Sequence, residues 1–291
     1  MVKWCVNNAA EFKDVSHKDT IIRFEKRYNV LNKESNFVFY NEQRDAENAI
    51  YNVKTHLSLY GVTYYINEYG FRGHWDLMSD KKKVIFFGCS FTFGWGLNEE
   101  DQYHTLISNE LFNGYEIINI SAGGWSTDSI VRFFKYITDF VKGIEYCFFI
   151  LPPPFRTELP VDDVLIDYTT MVVQKENISK KYLHKYENWL ELNDELYEKY
   201  RTMKNISHIQ ALAKSNGIKP FIGTYDMYAI KYFNEIVPSE QLLPYFEQYE
   251  QQSRHGYWDE TLKHKFARDG QHPGVYSNKK FAEEVIKKIK S

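Results

Sequence analysis

Two short segments of this chain hold a serine, a histidine and an aspartate that could do chemistry together. A serine hydroxyl attacks a carbonyl only when a base takes its proton, and near neutral pH histidine is the side chain suited to that. The histidine in turn needs a partner that fixes its tautomer and stabilises the imidazolium. Gly88-Cys89-Ser90 offers the hydroxyl, and Asp269-Gly270-Gln271-His272 offers both base and partner. Asp269 stands three residues before His272, so a tight turn can bring the carboxylate to one ring nitrogen while the other faces Ser90. A developing oxyanion needs donors already aimed at it. The backbone N–H of Ser90, at a strand-to-helix turn, and that of Gly124, which no side chain shields, are the candidates. Taken singly, a Gly-x-Ser after a strand is more often a plain turn, and an Asp before a helix is commonly a cap. The ordered set, each part at a predicted strand end, favours a Ser–His–Asp site. Cys89 could be read as a nucleophile too, but beside a buried strand it reads better as a small apolar group.

The elements that must position these residues show as apolar runs and periods. Val84-Ile85-Phe86-Phe87, closed by Gly88, predicts a strand buried on both faces. Residues 102–112 predict a helix with Leu106, Ile107 and Leu111 on one face, ended by Gly114. Residues 117–120 predict a second strand, running out at Gly123-Gly124. After Asp128, read as the cap, Ile130, Phe133, Phe134, Ile137, Phe140 and Val141 repeat at helical spacing. Residues 146–151 predict a third strand, 184–215 a long helix, 220–224 a fourth strand, and a last helix carries Phe281, Val285, Ile286 and Ile289. This alternation predicts a three-layer α/β sandwich around a mainly parallel sheet, and in such sheets ligands bind beyond the carboxyl ends of the strands. Residues 1–80 read as an extension or cap with short strands, packed on a core domain of residues 81–291. Insertions are expected at about 155–215 and 226–266, the part from 155 to 181 being rich in loop.

Composition narrows the function. The chain has 291 residues, 36 Lys and Arg against 39 Asp and Glu, and a formal charge of −3. That balance excludes binding nucleic acid by bulk phosphate neutralisation. Tyr and Phe, 23 and 21 residues, supply most of a 17% aromatic content and signal an ordered chain. No apolar run approaches the roughly 20 residues of a membrane span. Residues 1–8 lack the apolar stretch of a secretory signal, so a cytoplasmic location is expected. Cys5, Cys89 and Cys147 form no CxxC and suggest no disulfide framework. His74, His104, His255 and His264 show no metal-ligand spacing, and neither a metal nor a cofactor is expected.

The segments around Ser90, Gly124 and Asp269–His272, in this order, resemble the SGNH (GDSL-like) hydrolases, a family of esterases and acylhydrolases. The family's first block is Gly-Asp-Ser with the serine as nucleophile, which here falls on Ser90, with Cys89 in place of the Asp. The resemblance assigns an oxyanion N–H to Gly124 and the Asp-x-x-His pair to Asp269 and His272. The stretch 66–72 also looks like a lead-in to the first block, and the likeness spans about residues 66–151 and 217–290. The implied fold is SGNH/flavodoxin-like, and the implied substrate is a small-molecule or carbohydrate ester. One block departs: the family's third-block Asn, an oxyanion donor after the third strand, is missing from Leu151-Pro152-Pro153-Pro154-Phe155-Arg156. Arg156 is the candidate replacement, since a guanidinium carries five fixed donors. Trp95 and Trp125 flank the predicted site, where an indole can stack on a sugar, line an acyl pocket or simply pack. The reading is a serine esterase; a non-catalytic binding module on the same fold, or an O-acyltransferase, is the alternative.

Overall fold

The computed structural model describes residues 55–59, 62–67, 71–161, 164–168, 187–189, 191–246, 267 and 272–291. Strands β1 (Thr55–Leu59) and β2 (Val62–Ile66) form an antiparallel hairpin. The central sheet holds β3 (Lys83–Gly88), β4 (Glu116–Ser121), β5 (Ile144–Leu151) and β8 (Lys219–Thr224), all parallel, in the order β4-β3-β5-β8. A second hairpin, β6 (Thr157–Val161) and β7 (Val164–Tyr168), leaves the end of β5. It lies in the stretch expected to be rich in loop. The helices are α1 (Ser90–Phe93), α2 (Tyr103–Leu111), α3 (Thr127–Phe140), α4 (Glu195–Ser215), α5 (Ile230–Ile236) and α6 (Val275–Lys290).

Register explains the core. Phe86, Phe148 and Phe221 are partners on adjacent strands, so their rings stack at 4.7 and 4.9 Å. Phe87 and Phe149 do the same on the opposite face at 5.0 Å, closed by Phe134 of α3. Such pairs add about 0.5–1.5 kcal/mol each beyond their burial. The first face is covered by α2 and α6 through Tyr103 and Phe281, and the second by α3. This is the three-layer sandwich. The chain leaves β3 for β4 on one side and returns to β5 on the other, so the topological switch lies at the C-terminal end of β3, where Ser90 begins α1. Phe71, Trp75 and Leu77, from the segment before β3, pack into the same core.

Three local expectations are corrected. The buried face of α2 carries Tyr103, His104, Ile107 and Ser108, while Leu106 and Leu111 are only partly covered. The helix is rotated because its buried side must meet both the sheet and α6, and it takes a histidine and a serine inside to do so. The cap of α3 is Ser126, whose hydroxyl accepts from Ser129 N at 3.2 Å, and not Asp128. Asp128 instead accepts from Asn205 Nδ2 at 2.8 Å and from Thr157 Oγ1 at 3.0 Å, tying α3 to α4 and β6. The long helix expected from 184 is interrupted: residues 187–189 and 191–192 are helical, and after Asn193 the helix α4 starts at Glu195, where the Asp194 carboxylate accepts from Tyr197 N at 2.7 Å. Residues 1–54, residues 247–266 of the 226–266 insertion, and Asp269 lie outside the described residues. Among those described, no helix is long and apolar enough to cross a membrane, and no cluster of His, Cys, Asp and Glu could hold a metal ion.

Candidate active site

The turn that presents Ser90 depends on Gly88. A Cβ there would lie 1.9 Å from Thr92 Oγ1, so only glycine lets α1 fold back over the strand end. The helix lasts four residues and stops at Gly94, which adopts a left-handed φ of 77° and donates its N–H to Ser90 O at 3.0 Å. First-turn N–H groups of a helix have no intrahelical acceptor, which leaves that of Ser90 open for another partner. Gly124 follows β4 at φ 81°, with open space where a Cβ would stand, so its backbone conformation is what favours glycine.

Ser90 is buried, and its hydroxyl donates to Cys89 Sγ at 3.9 Å. Cys89 is fully buried, as the small-apolar reading expects, but its sulfur also lies 3.2 Å from the Tyr225 hydroxyl. Tyr225, at the end of β8, stacks on Phe91 with ring centroids 3.8 Å apart. On the same Phe91 ring, His272 stands edge-on at 5.6 Å and Phe246 edge-on at 5.8 Å. One ring of α1 thus gathers the end of β8 and the segment before α6 against this helix. His272 is half-buried, and its carbonyl accepts from Ala267 N at 2.8 Å. The next two carbonyls, of Pro273 and Gly274, accept from Asn278 Nδ2 at 3.0 Å each, and Asn278 Oδ1 accepts from Tyr103 N at 3.1 Å. The position of the His272 segment is therefore set by α6 and α2.

Arg156 is half-buried just past β5. Its carbonyl, and that of Pro154, accept from Arg201 of α4, the former at 2.9 Å. Burial pushes the Tyr225 phenol well above its ordinary pKa, and the Arg156 charge opposes that shift. Trp95 is packed between Phe93 and Tyr64, at 4.8 and 5.3 Å. Trp125 is 1% exposed and stacks on Phe133 at 4.4 Å. Packing accounts for the burial of both indoles.

Sequence reasoning missed the residues that hold these turns. Arg72 is buried and donates to Phe93 O at 3.1 Å, Gly94 O at 2.6 Å and Leu97 O at 2.7 Å, bracing the loop after Ser90. Its guanidinium also lies 4.4 Å over the Tyr64 ring. Burial lowers its pKa to about 10. Arg201 and Asn278 do similar work elsewhere. Arg72 lay in the stretch that resembles a lead-in to the first block, with no role assigned to its side chain; only charge or an amide marked Arg201 and Asn278, and that signal is common on any surface.

No protein-family model and no curated protein matches the chain. Among solved structures it is similar to TesA, at a TM-score of 0.43 and 13% identity over 72% of this chain and 98% of that one. It is also similar to a member of the lipolytic protein G-D-S-L family from Veillonella parvula, with TM-score 0.41 and 13% identity over 71% and 97%. The psychrotrophic esterase EstA from Pseudoalteromonas sp. gives 0.42 and 12% over 72% and 97%.

Proposed function

We propose that this chain is a serine esterase or acylhydrolase in which Ser90 is the nucleophile, His272 the general base and Asp269 its partner. The observation that carries the reading is the shared Phe91 ring, which brings the His272 segment to the turn that presents Ser90 at the switch point of the sheet. Ser90 Oγ would attack an ester carbonyl as His272 takes its proton; the imidazolium then protonates the departing alcohol, and water releases the acyl group by the same steps. The Ser90 hydroxyl must rotate from Cys89 Sγ toward His272 for this, a change that catalytic hydrogen bonds commonly make on binding substrate. The N–H groups of Ser90 and Gly124 would bind the oxyanion, and Arg156 would add charge there or hold an acidic substrate group. The substrate is a small-molecule or carbohydrate ester, and an O-acyltransferase would differ only in its acceptor.

The hydroxyl facing sulfur, and a third strand that ends without an Asn, favour a second reading, a binding module that keeps the fold without turnover. Labelling with a fluorophosphonate decides between them, because only an activated serine reacts. Wild-type protein should label and hydrolyse a short aryl ester. Ser90→Ala should lose both, with kcat down by about 10⁴-fold or more and folding intact, and His272→Ala nearly as much. Asp269→Asn should lose somewhat less. Hydrolysis by Ser90→Ala at the wild-type rate would sink the triad. For Arg156→Ala, equal falls in kcat and kcat/KM mean an oxyanion role, and a raised KM alone means substrate binding.

A further inference from the structure

Asn119 of β4 is buried, and each polar end of its side chain is used. Its Nδ2 donates to Thr92 O at 2.9 Å and to His104 Nε2 at 2.9 Å, and its Oδ1 accepts from Ser121 Oγ. Thr92 belongs to α1, two residues after Ser90, and a helix that short leaves its last carbonyls without intrahelical donors. Ser121 closes β4, three residues before Gly124. One amide therefore touches both segments that carry the proposed oxyanion donors.

The far side of that amide is held as firmly. His104 is buried on α2, and burial, aided by the Arg72 charge, pushes its pKa down to about 3. The neutral ring has one acceptor nitrogen. Because Asn119 donates to Nε2, the proton sits on Nδ1, which faces Thr105 Oγ1 at 3.4 Å. In the orientation that satisfies both its neighbours, the Gln102 amide also donates to His104 Nε2, and its oxygen accepts from Arg72 at 2.7 and 2.8 Å. Arg72 returns to α1 through Phe93 O and Gly94 O. The circuit Arg72–Gln102–His104–Asn119–Thr92 is closed at both ends on the turn that presents Ser90.

We propose that Asn119, backed by His104, is a positioning residue that sets the Ser90 and Gly124 N–H groups in register, so that both converge on one oxyanion. The inference rests on the serine-hydrolase reading. The β3–β4 strand pairing that ends at Gly88 and Ser121 also joins the two segments. That pairing lies below both donors. A misplacement of about 1 Å in such a constellation costs on the order of 10²-fold in rate.

The test measures fluorophosphonate labelling rate, aryl-ester kcat and KM, and Tm, on the full chain. Asn119→Ala, assayed well below its own Tm, should label and turn over roughly 10- to 100-fold more slowly with little change in KM. His104→Leu should move the same way. His104→Gln, whose side-chain oxygen can still accept from Asn119, should keep severalfold more rate than His104→Leu. A merely structural role would lower Tm and leave the folded fraction labelling at the wild-type rate. Folded Asn119→Ala with wild-type kcat, or no difference between the two His104 variants, overturns the proposal. If Asn119→Ala does not fold, the His104 pair decides. Wild-type protein that neither labels nor turns over overturns the hydrolase reading, and this one with it.

Discussion

On the β4 side of Ser90 the backbone is held by directional polar contacts: Arg72 on three carbonyls, Asn119 on a fourth, His104 behind both. On the β8 side Tyr225, Phe246 and His272 each meet Phe91 as rings, with a sulfur contact from Tyr225 to Cys89, while hydrogen bonds hold the backbone at His272 and the two carbonyls after it. Hydrogen bonds fix atoms to a few tenths of an ångström and are costly to leave unmade once buried. Stacked rings are held strongly but can slide and tilt within a broad well. The loop after Ser90 is thus held directly by buried polar side chains, whereas at Phe91 the neighbouring side chains meet through ring contacts that leave room to adjust.

The largest expected effect strikes the rigid side. Arg72→Ala strips partners from three buried carbonyls and should lower stability by roughly 3 kcal/mol or more, measured by urea unfolding. Arg72→Lys should recover only part of this, since an ammonium lacks the planar fork. A loss below about 1 kcal/mol for the alanine variant would show that water replaces the guanidinium and that the β4 flank is not held rigidly.

The next effect depends on pH. His104 is held neutral in the folded chain to about pH 3, whereas unfolded it takes a proton near its ordinary pKa. Between these values the unfolded state binds more protons, so stability is complete above about pH 6.5 and falls as pH drops through that window, by roughly 1.4 kcal/mol per unit. Denaturant melts of wild type and His104→Gln at pH 7 and pH 5 should show a steeper acid loss in wild type. Parallel losses would mean that His104 takes a proton while folded. That would break the polar circuit.

The smallest effect belongs to the adaptable side. Tyr225→Phe removes the hydroxyl from Cys89 Sγ but keeps the ring on Phe91, and stability should change by about 1 kcal/mol or less. A much larger loss would make the Tyr225–Cys89 contact a fixed strut and erase the difference between the two flanks.

The strands were legible because their signal is local: an unbroken apolar run such as Val84–Phe87 or Tyr146–Leu151 has few other ways to be buried, and glycine or proline marks its end. Helix faces were less so. Leu106, Ile107 and Leu111 define an apolar stripe on α2, yet burial selected a neighbouring stripe that includes His104 and Ser108, since α6 and the sheet approach from that side. Asp128 has the right chemistry for a cap and the wrong position by two residues; Ser126 takes the cap, and Asp128 spends its carboxylate on α4 and β6.

By itself the amino-acid order determined the alternation of strands and helices, and hence a parallel sheet with Ser90 and Gly124 beyond its strand ends, because strand burial and turn chemistry act over a few neighbours. Only the tertiary structure decided what surrounds Ser90. That Arg72 braces the loop after it, that Asn119 reaches Thr92, and that the His272 segment meets Phe91 are contacts between residues far apart in sequence. Their side chains look like ordinary polar or surface residues until folding removes water from around them. Burial then makes each hydrogen bond obligatory, and it is the packing of α1, α2 and β4 against one another that chooses the partner.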